Sequence, residues 1–382
     1  MTPFHEGAAA FDLPIRVDPM RVRRTYCGGA GIDRWHGRED AFSGQRPEEW
    51  LASVTPAVNP GFPEEREEGL SRVQWQGRTW LLRDLIAAFP KQMLGETHLA
   101  ASGQNPGILA KMIDSAERLS IQVHPDKEFS RRYFQSEYGK TECWYILQTA
   151  PVNGQDPCLY MGFCPGVTQE SWRRLYETQD IPGMLKSMHR ITPGPGEVWL
   201  IEGGVPHAIG PGCCLIELQE PTDYTLRTER TRSDGSLLPE RLIHQGAGEE
   251  GLMECFHYEP MTEAELRQRY CLTPQTRQFA DGSVWQKLAG EPRTGCFSMT
   301  TARVKRELAF PAEPGFAVAV VLEGSGAFRT AAGSTEIRQG EHFFLPAEMG
   351  GFSVMNHDPD RPLQVLFCYP PRGQALPPQE AL

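Results

Sequence analysis

The chain has 382 residues, 40% of them hydrophobic and 23% charged, and a formal net charge of −11. That length allows two or three domains around a large core. The acidic balance, with no basic block, argues against nucleic acid or an anionic membrane as partner of the whole chain. No run approaches the roughly 18 apolar residues of a spanning helix. Met1 to Asp18 lacks the basic region and apolar run of a signal peptide. Ten cysteines without a C-x-x-C spacing read as reduced thiols of a cytoplasmic protein, not as a disulfide scaffold or zinc ribbon.

Thirty-eight Gly and thirty-two Pro cut the chain into short apolar or alternating runs. Such runs predict many short strands, as in a sandwich, jelly roll or barrel. Residues 1–20 read as an extension with little packing of its own. Trp80 to Phe89 has a helical pattern. Strands are expected over Ile108 to Ile113, Ser120 to His124, Glu142 to Leu147, Cys158 to Phe163, Glu197 to Ile201 and Cys214 to Gln219. Two short helices broken at Pro182 form an insertion at about 168–190. Glu263 to Tyr270 is a weaker helix. From Asp281 onward a second, smaller jelly roll is expected, with strands over Ala317 to Leu322, Gly326 to Thr330, Thr335 to Arg338, His342 to Leu345 and Leu363 to Tyr369. It carries His342 and His357 without an H-x-H pair, so no metal is expected there. The Pro/Gln/Ala-rich tail after Pro370 is expected to fray.

Side chains alternate faces along a strand, so Ser120, Gln122 and His124 share one face, as do Lys140 and Glu142. An unpartnered buried polar group costs roughly 1–3 kcal/mol, so such faces suit a cation better than packing. His207 follows after a Gly-Gly-Val-Pro turn. Two imidazoles and a carboxylate can bind Zn²⁺ with a position left open, and Gln122 can add a carbonyl oxygen. Spacing equally allows a structural reading: His124 as a turn residue before Pro125, Glu142 paired with Lys140, and His207 in a loop. Lys140, Arg227 and Ser120 make a plausible phosphate pocket, although Arg227 opens an arginine-rich run (RTERTR) that also reads as a solvated loop. Glu217 and Gln219 share a face; the carboxylate could act as a base or order His207. Trp144 and Tyr145 read as core.

The runs RLSIQVHPD, YGKTECWYIL, EGGVPHAIG and IELQEPTDYTLR, with PEEWLASVTPAVNPG and ILAKMID, resemble the type I mannose-6-phosphate isomerases in their bacterial cupin form. The likeness runs from about residue 25 to 370. It implies a mainly β fold of two cupin-like jelly-roll barrels: a catalytic unit over 21–260 with the helical insertion, a second, metal-free unit over 261–370, and a flexible tail over 371–382. It implies one Zn²⁺ per chain on Gln122, His124, Glu142 and His207, substrate contacts from Ser120, Lys140 and Arg227, and catalysis by Arg227, Lys140 and Glu217. The implied reaction interconverts mannose 6-phosphate and fructose 6-phosphate through a cis-enediol, in a cytoplasmic monomer or homodimer. The segment TERTRSDGSLLPE and the N-terminal extension depart from the family pattern. They put the sugar in doubt and leave open another phosphorylated sugar. Two further alternatives are a metal-dependent cupin oxygenase, against which the lack of an H-x-H motif counts, and a sugar-phosphate-binding regulator without turnover.

Overall fold

The computed structural model describes residues 11–59, 67–373 and 375–380. The chain is mainly β, and its strands pair antiparallel in four large sheets and one two-stranded sheet. The first outer sheet runs in the order Met188–Ile191, Leu159–Phe163, His207–Ile209, Gln122–Val123, Leu226–Arg227. The first inner sheet runs Cys271–Leu272, Val198–Ile201, Glu142–Thr149, Cys213–Gln219, Leu109–Asp114, Glu48–Leu51, Arg21–Val22. Leu159, Met161 and Ile209 of the outer sheet close a core on Trp144, Ile146 and Leu215 of the inner one.

A second pair repeats the arrangement. Its inner sheet runs Ile15–Arg16, His342–Leu345, Ala317–Glu323, Leu363–Tyr369, Ser298–Val304, Val284–Ala289, Gln275–Gln278. Its outer sheet runs Gly333–Arg338, Ser325–Thr330, Phe352–Asn356, Glu307–Phe310, Gln379–Glu380. Phe328, Val354 and Leu308 pack on Val321, Val365 and Phe367 between them. The two inner sheets also meet. Met112, Tyr145, Ile216 and Leu218 of the first pack with Met299, Val320, Phe344 and Leu366 of the second. The strands therefore stack in four layers, and the middle two are covered on both faces.

Several expectations are corrected. None of the sheets among the described residues closes into a barrel. Residues 1–10 of the expected N-terminal extension and residues 374 and 381–382 of the expected tail lie outside the described residues. The described part of the extension is not loose: Phe11, Ile15 and Val17 are buried, and Ile15–Arg16 pairs with His342–Leu345. The described part of the tail is tied down too, since Gln379–Glu380 pairs with Glu307–Phe310 and Ala375 is buried. Trp80 belongs to the strand Arg78–Leu81, and the helix that follows is Leu82–Ala88. The second pair of sheets begins near residue 275, earlier than Asp281. Helices were underestimated, because most run for only about two turns, too short for an apolar period to show. Those at 169–178 and 181–186 lie in the expected insertion, and Pro182 sits in the first turn of the second, where its missing N–H costs nothing. All ten cysteines are free. No helix among the described residues is long and apolar enough to cross a membrane.

Polar contacts also join the inner sheets: Gln364 Nε2 donates to Tyr145 Oη at 3.3 Å, and Glu49 approaches His342. Glu49 Oε2 lies 2.8 Å from His36 Nε2, and Glu49 Oε1 lies 3.9 Å from Nδ1 of the buried His342. Burial pushes the His342 imidazole down to about 4; Glu49 opposes the shift, while His36 assists it. Below pH 6.5 the unfolded chain then binds a proton that the folded chain refuses, so stability falls with pH. From pH 7 to pH 5 this single group should remove about 2 kcal/mol. Urea unfolding at the two pH values should show His342→Asn losing less than the wild type by about that amount; equal losses would mean that His342 titrates when folded.

Candidate metal centre and substrate pocket

Register across the sheets assembles the site. In the first outer sheet His207 and Arg227 both stand opposite Gln122, one on each side. Directly opposed residues share a face, so the three side chains form one row. In the first inner sheet a second row runs Trp50, Lys111, Glu217, Trp144, Trp199. Glu142 lies two residues from Trp144 and on its face. The two rows look at each other across the core.

His124, Glu142 and His207 offer one ligand atom each within 4.8 Å of one another, and all three are buried. His124 Nδ1 lies 2.8 Å from the Tyr224 carbonyl, and His207 Nδ1 lies 2.9 Å from the Val205 carbonyl. A carbonyl only accepts, so each Nδ1 carries the proton and each Nε2 presents a lone pair. Those Nε2 atoms are 3.2 Å apart. Glu142 Oε2 is 3.1 Å from His124 Nε2, and Glu142 Oε1 is 3.6 Å from His207 Nε2. Neither carboxylate oxygen has a hydrogen-bond donor. Four lone-pair atoms facing one another in a dry interior repel unless a cation lies between them. A tetrahedral ion with bonds of about 2.0–2.1 Å has edges of roughly 3.3–3.4 Å, close to the separations found. The group therefore fits a divalent metal. The Gln122 amide is 3.2 Å from His207 Nε2, and its oxygen and nitrogen are interchangeable in placement, so its carbonyl can face the same point.

Positive charge already collects there. Lys140 Nζ lies 2.8 Å from His124 Nε2 and 3.3 Å from Glu142 Oε2. Burial lowers the Lys140 ammonium below its ordinary value, with Glu142 pulling the other way. Burial, reinforced by Lys140, holds the His124 imidazole well below the usual range; burial likewise lowers His207. Both rings are thus kept in the neutral, metal-binding form. The ligand-bearing turn is tightly fixed. Gly204 has φ +85°, and a Cβ there would meet the His257 ring at 2.3 Å, so only glycine fits.

The pocket beside this group is lined by Ser120, Gln122, Lys140, Glu217 and Arg227, all of them site residues expected from the sequence. Arg227 is a buried strand residue, not part of a solvated loop. Its Nη1 donates to the Leu242 and Thr225 carbonyls at 2.7 and 3.2 Å. Among the described residues it pairs with no carboxylate. Burial and the neighbouring Arg24 push its guanidinium down to about 10. Arg230, by contrast, pairs with Glu249 on the surface. Glu217 does not order His207; it accepts from Lys111 Nζ at 3.0 Å and from Trp144 Nε1 at 3.1 Å. Gln219 turns to the carbonyls of Glu220 and Thr222. Trp144 is thus core and site at once.

Other ionisable residues of the pocket were missed. Arg24, Tyr26, Glu48 and Lys111 line the pocket, and Asp223 anchors Arg24. The lone Lys in the apolar run ILAKMID and the Glu-x-Trp step at 48–50 were the available signals.

The comparisons agree with this geometry. The family model for the cupin domain of mannose-6-phosphate isomerase matches residues 292–357, within the second pair of sheets. The probable mannose-6-phosphate isomerase GmuF of Bacillus subtilis is 27% identical over 250 residues, 65% of this chain and 71% of that protein. The chain is thus similar to mannose-6-phosphate isomerases. Mannose 6-phosphate isomerase from Bacillus subtilis superposes with a TM-score of 0.70 at 20% identity, covering 93% of this chain and 99% of that one. A zinc-bound mannose 6-phosphate isomerase does so at 0.69 and 16%, covering 94% and 99%. The fold is therefore the cupin-domain fold of these isomerases.

Replacing Glu142 by Gln keeps its shape and removes the charge that a cation needs. Metal analysis of the dialysed chain should show bound divalent metal falling at least tenfold, while circular dichroism stays unchanged. Retention of a full equivalent would remove Glu142 from the ligand group.

Proposed function

We propose that the chain is a zinc-dependent aldose–ketose isomerase that interconverts mannose 6-phosphate and fructose 6-phosphate by proton transfer between C1 and C2 through a cis-enediol. Its first pair of sheets is the catalytic jelly-roll unit, and the second is a scaffold on which that unit rests. Gln122, His124, Glu142 and His207 hold the metal. Bound there, zinc supplies a Lewis acid that offsets negative charge developing on the substrate oxygens.

The observation that carries the proposal is the placing of a buried, carboxylate-free guanidinium beside a metal-binding group. His207, Gln122 and Arg227 stand on three neighbouring strands. Two interstrand steps of about 4.8 Å put the metal end and the cationic end roughly 10 Å apart, a span suited to a six-carbon sugar with a phosphate at its far end. Arg227 binds the phosphate with charge-assisted donors, and Ser120 adds a hydroxyl. Lys140, between His124 and Glu142, contacts the substrate at the reacting end. Glu217 is the carboxylate that carries the proton, and its bonds to Lys111 and Trp144 hold it in one orientation. Charge balance also supports a phosphate dianion. Four cations (Arg24, Lys111, Lys140, Arg227) and two carboxylates (Glu48, Glu217) line the pocket, and two more carboxylates (Glu142, Asp223) pair with its cations from behind. A divalent metal and a phosphate dianion added together leave that balance at zero.

A coupled assay with mannose 6-phosphate should show turnover that disappears on chelation and returns with zinc. Glu217→Gln should lower kcat by roughly 10²–10⁴-fold with metal content unchanged. Full turnover by the Gln variant would place the proton carrier elsewhere. A metal-loaded wild type that binds the sugar phosphate without converting it would refute the enzymatic reading.

A further inference from the structure

The four cations of the pocket are unevenly paired. Lys111 holds Glu217 at 3.0 Å, and Lys140 lies 3.3 Å from Glu142. Arg24 alone holds two carboxylates. Its Nη1 and Nη2 donate to Asp223 Oδ2 and Oδ1 at 3.0 and 2.8 Å, and its Nε donates to Glu48 Oε1 at 3.1 Å. The Arg24 side chain is only 9% exposed, and its guanidinium lies over the Trp50 ring. Asp223 and Glu48 are both electrostatic neighbours of Arg227. Asp223 is also four residues from it in the chain. Beyond Arg24, the cations around Asp223 are Lys111, Lys140 and Arg227.

We infer that Arg24 is a positioning residue: by taking up Asp223 and Glu48 with all three sides of its planar fork, it keeps these carboxylates off Arg227 and leaves that guanidinium open to the substrate's phosphate. The inference rests on the phosphate role proposed for Arg227 above. Arg24 itself has its fork filled and needs no contact with the substrate.

The two carboxylates are not equally dangerous. Glu48 is held in place without Arg24, because Tyr26 Oη donates to its Oε1 at 2.7 Å and Trp50 Nε1 donates to its Oε2 at 2.8 Å. Asp223 has, beyond Arg24, one backbone donor, Val58 N at 3.1 Å. Loss of Arg24 therefore frees chiefly Asp223. A buried carboxylate left alone turns to a neighbouring cation, because an unpaired charge in a dry site is costly; Lys111 and Lys140 already hold Glu217 and Glu142, and among the described residues Arg227 is the pocket cation without a carboxylate. An Arg227–Asp223 pair would compete with the phosphate, and the sugar phosphate would bind weakly although every residue that touches it is intact.

The test is a cycle of three variants in the metal-loaded chain: Arg24→Gln, Asp223→Asn and the double variant. Calorimetry with mannose 6-phosphate, and separately with inorganic phosphate, reads affinity; steady-state assays read KM and kcat; metal analysis checks the ligand group. Arg24→Gln should weaken both probes by roughly 10–100-fold and raise KM by a similar factor, with metal content unchanged. Asp223→Asn alone should bind at least as well as the wild type. The double variant should return to within about fivefold of wild-type affinity, because the competing carboxylate is gone. A merely structural role for Arg24 predicts the reverse, since the second substitution would add to the damage. A double variant as weak as Arg24→Gln overturns the inference, as does wild-type affinity in Arg24→Gln. Should Arg24→Gln not fold, Arg24→Lys gives the same comparison, because it keeps the charge and loses the fork; rescue by Asp223→Asn is then expected from that background, and its absence counts against the inference. A wild type that binds neither probe overturns the role given to Arg227, and this inference with it.

Discussion

Mutual repulsion among lone pairs governs this structure. Two imidazole nitrogens and two carboxylate oxygens point at one spot in a water-poor interior, 3.1–3.6 Å apart, with no donor for the carboxylate. A fold can keep such a group only by fixing each member from behind. The Tyr224 and Val205 carbonyls fix the two rings, and the ladder through Cys143 and Leu218 fixes the strand that carries Glu142. A divalent cation would find its ligands already gathered once the Lys140 ammonium, 2.8 Å from His124 Nε2, moves aside, because the cost of gathering them was met when the sheets formed. The same logic extends outward. A cation inside the protein demands counter-charge, and the pocket around it is an ordered lattice of ion pairs rather than a greasy cleft.

That lattice explains what could and could not be read from the sequence. Alternation and turn residues were enough to place strands such as Glu142–Thr149, His342–Leu345 and Leu363–Tyr369, and to put Gln122 with His124 and Lys140 with Glu142. Those are local facts with a period of two. Arg24, Glu48, Lys111 and Asp223 were missed because their meaning is entirely cross-strand. Lys111 is informative only once it is known to stand opposite Glu217 and Trp50. No spacing along the chain encodes that register. Arg227 was legible through its resemblance, yet its location in a strand was masked by the run of arginines that follows.

The N- and C-terminal segments show the opposite failure. Both were judged by composition, and both are held by tertiary pairing that composition does not report. Phe11 stacks on Trp75 with ring centroids 4.8 Å apart, and Ile15–Arg16 adds an edge to a sheet whose other strands lie some 260–350 residues away in sequence. Short strands of two residues carry almost no periodic signal, but Ile15–Arg16 and Gln379–Glu380 each cover an otherwise open sheet edge.

The double burial of the inner sheets links the scaffold to the chemistry. Along Leu109–Asp114, Glu142–Thr149 and Cys213–Gln219 one set of side chains builds the pocket and the other packs on the second inner sheet. A one-residue slip in any of these strands would exchange the two sets, placing Lys111, Glu142 or Glu217 against Met299, Val320 and Leu366. Charges facing apolar residues would make that slip prohibitively unfavourable. The apolar contact between the sheet pairs therefore does more than add stability. It fixes the register on which the rows His207–Gln122–Arg227 and Lys111–Glu217–Trp144 depend, and a sheet that faced water on that side would lack this constraint. The second pair of sheets supplies no pocket side chain, yet by covering the back of the first it sets where every pocket side chain points.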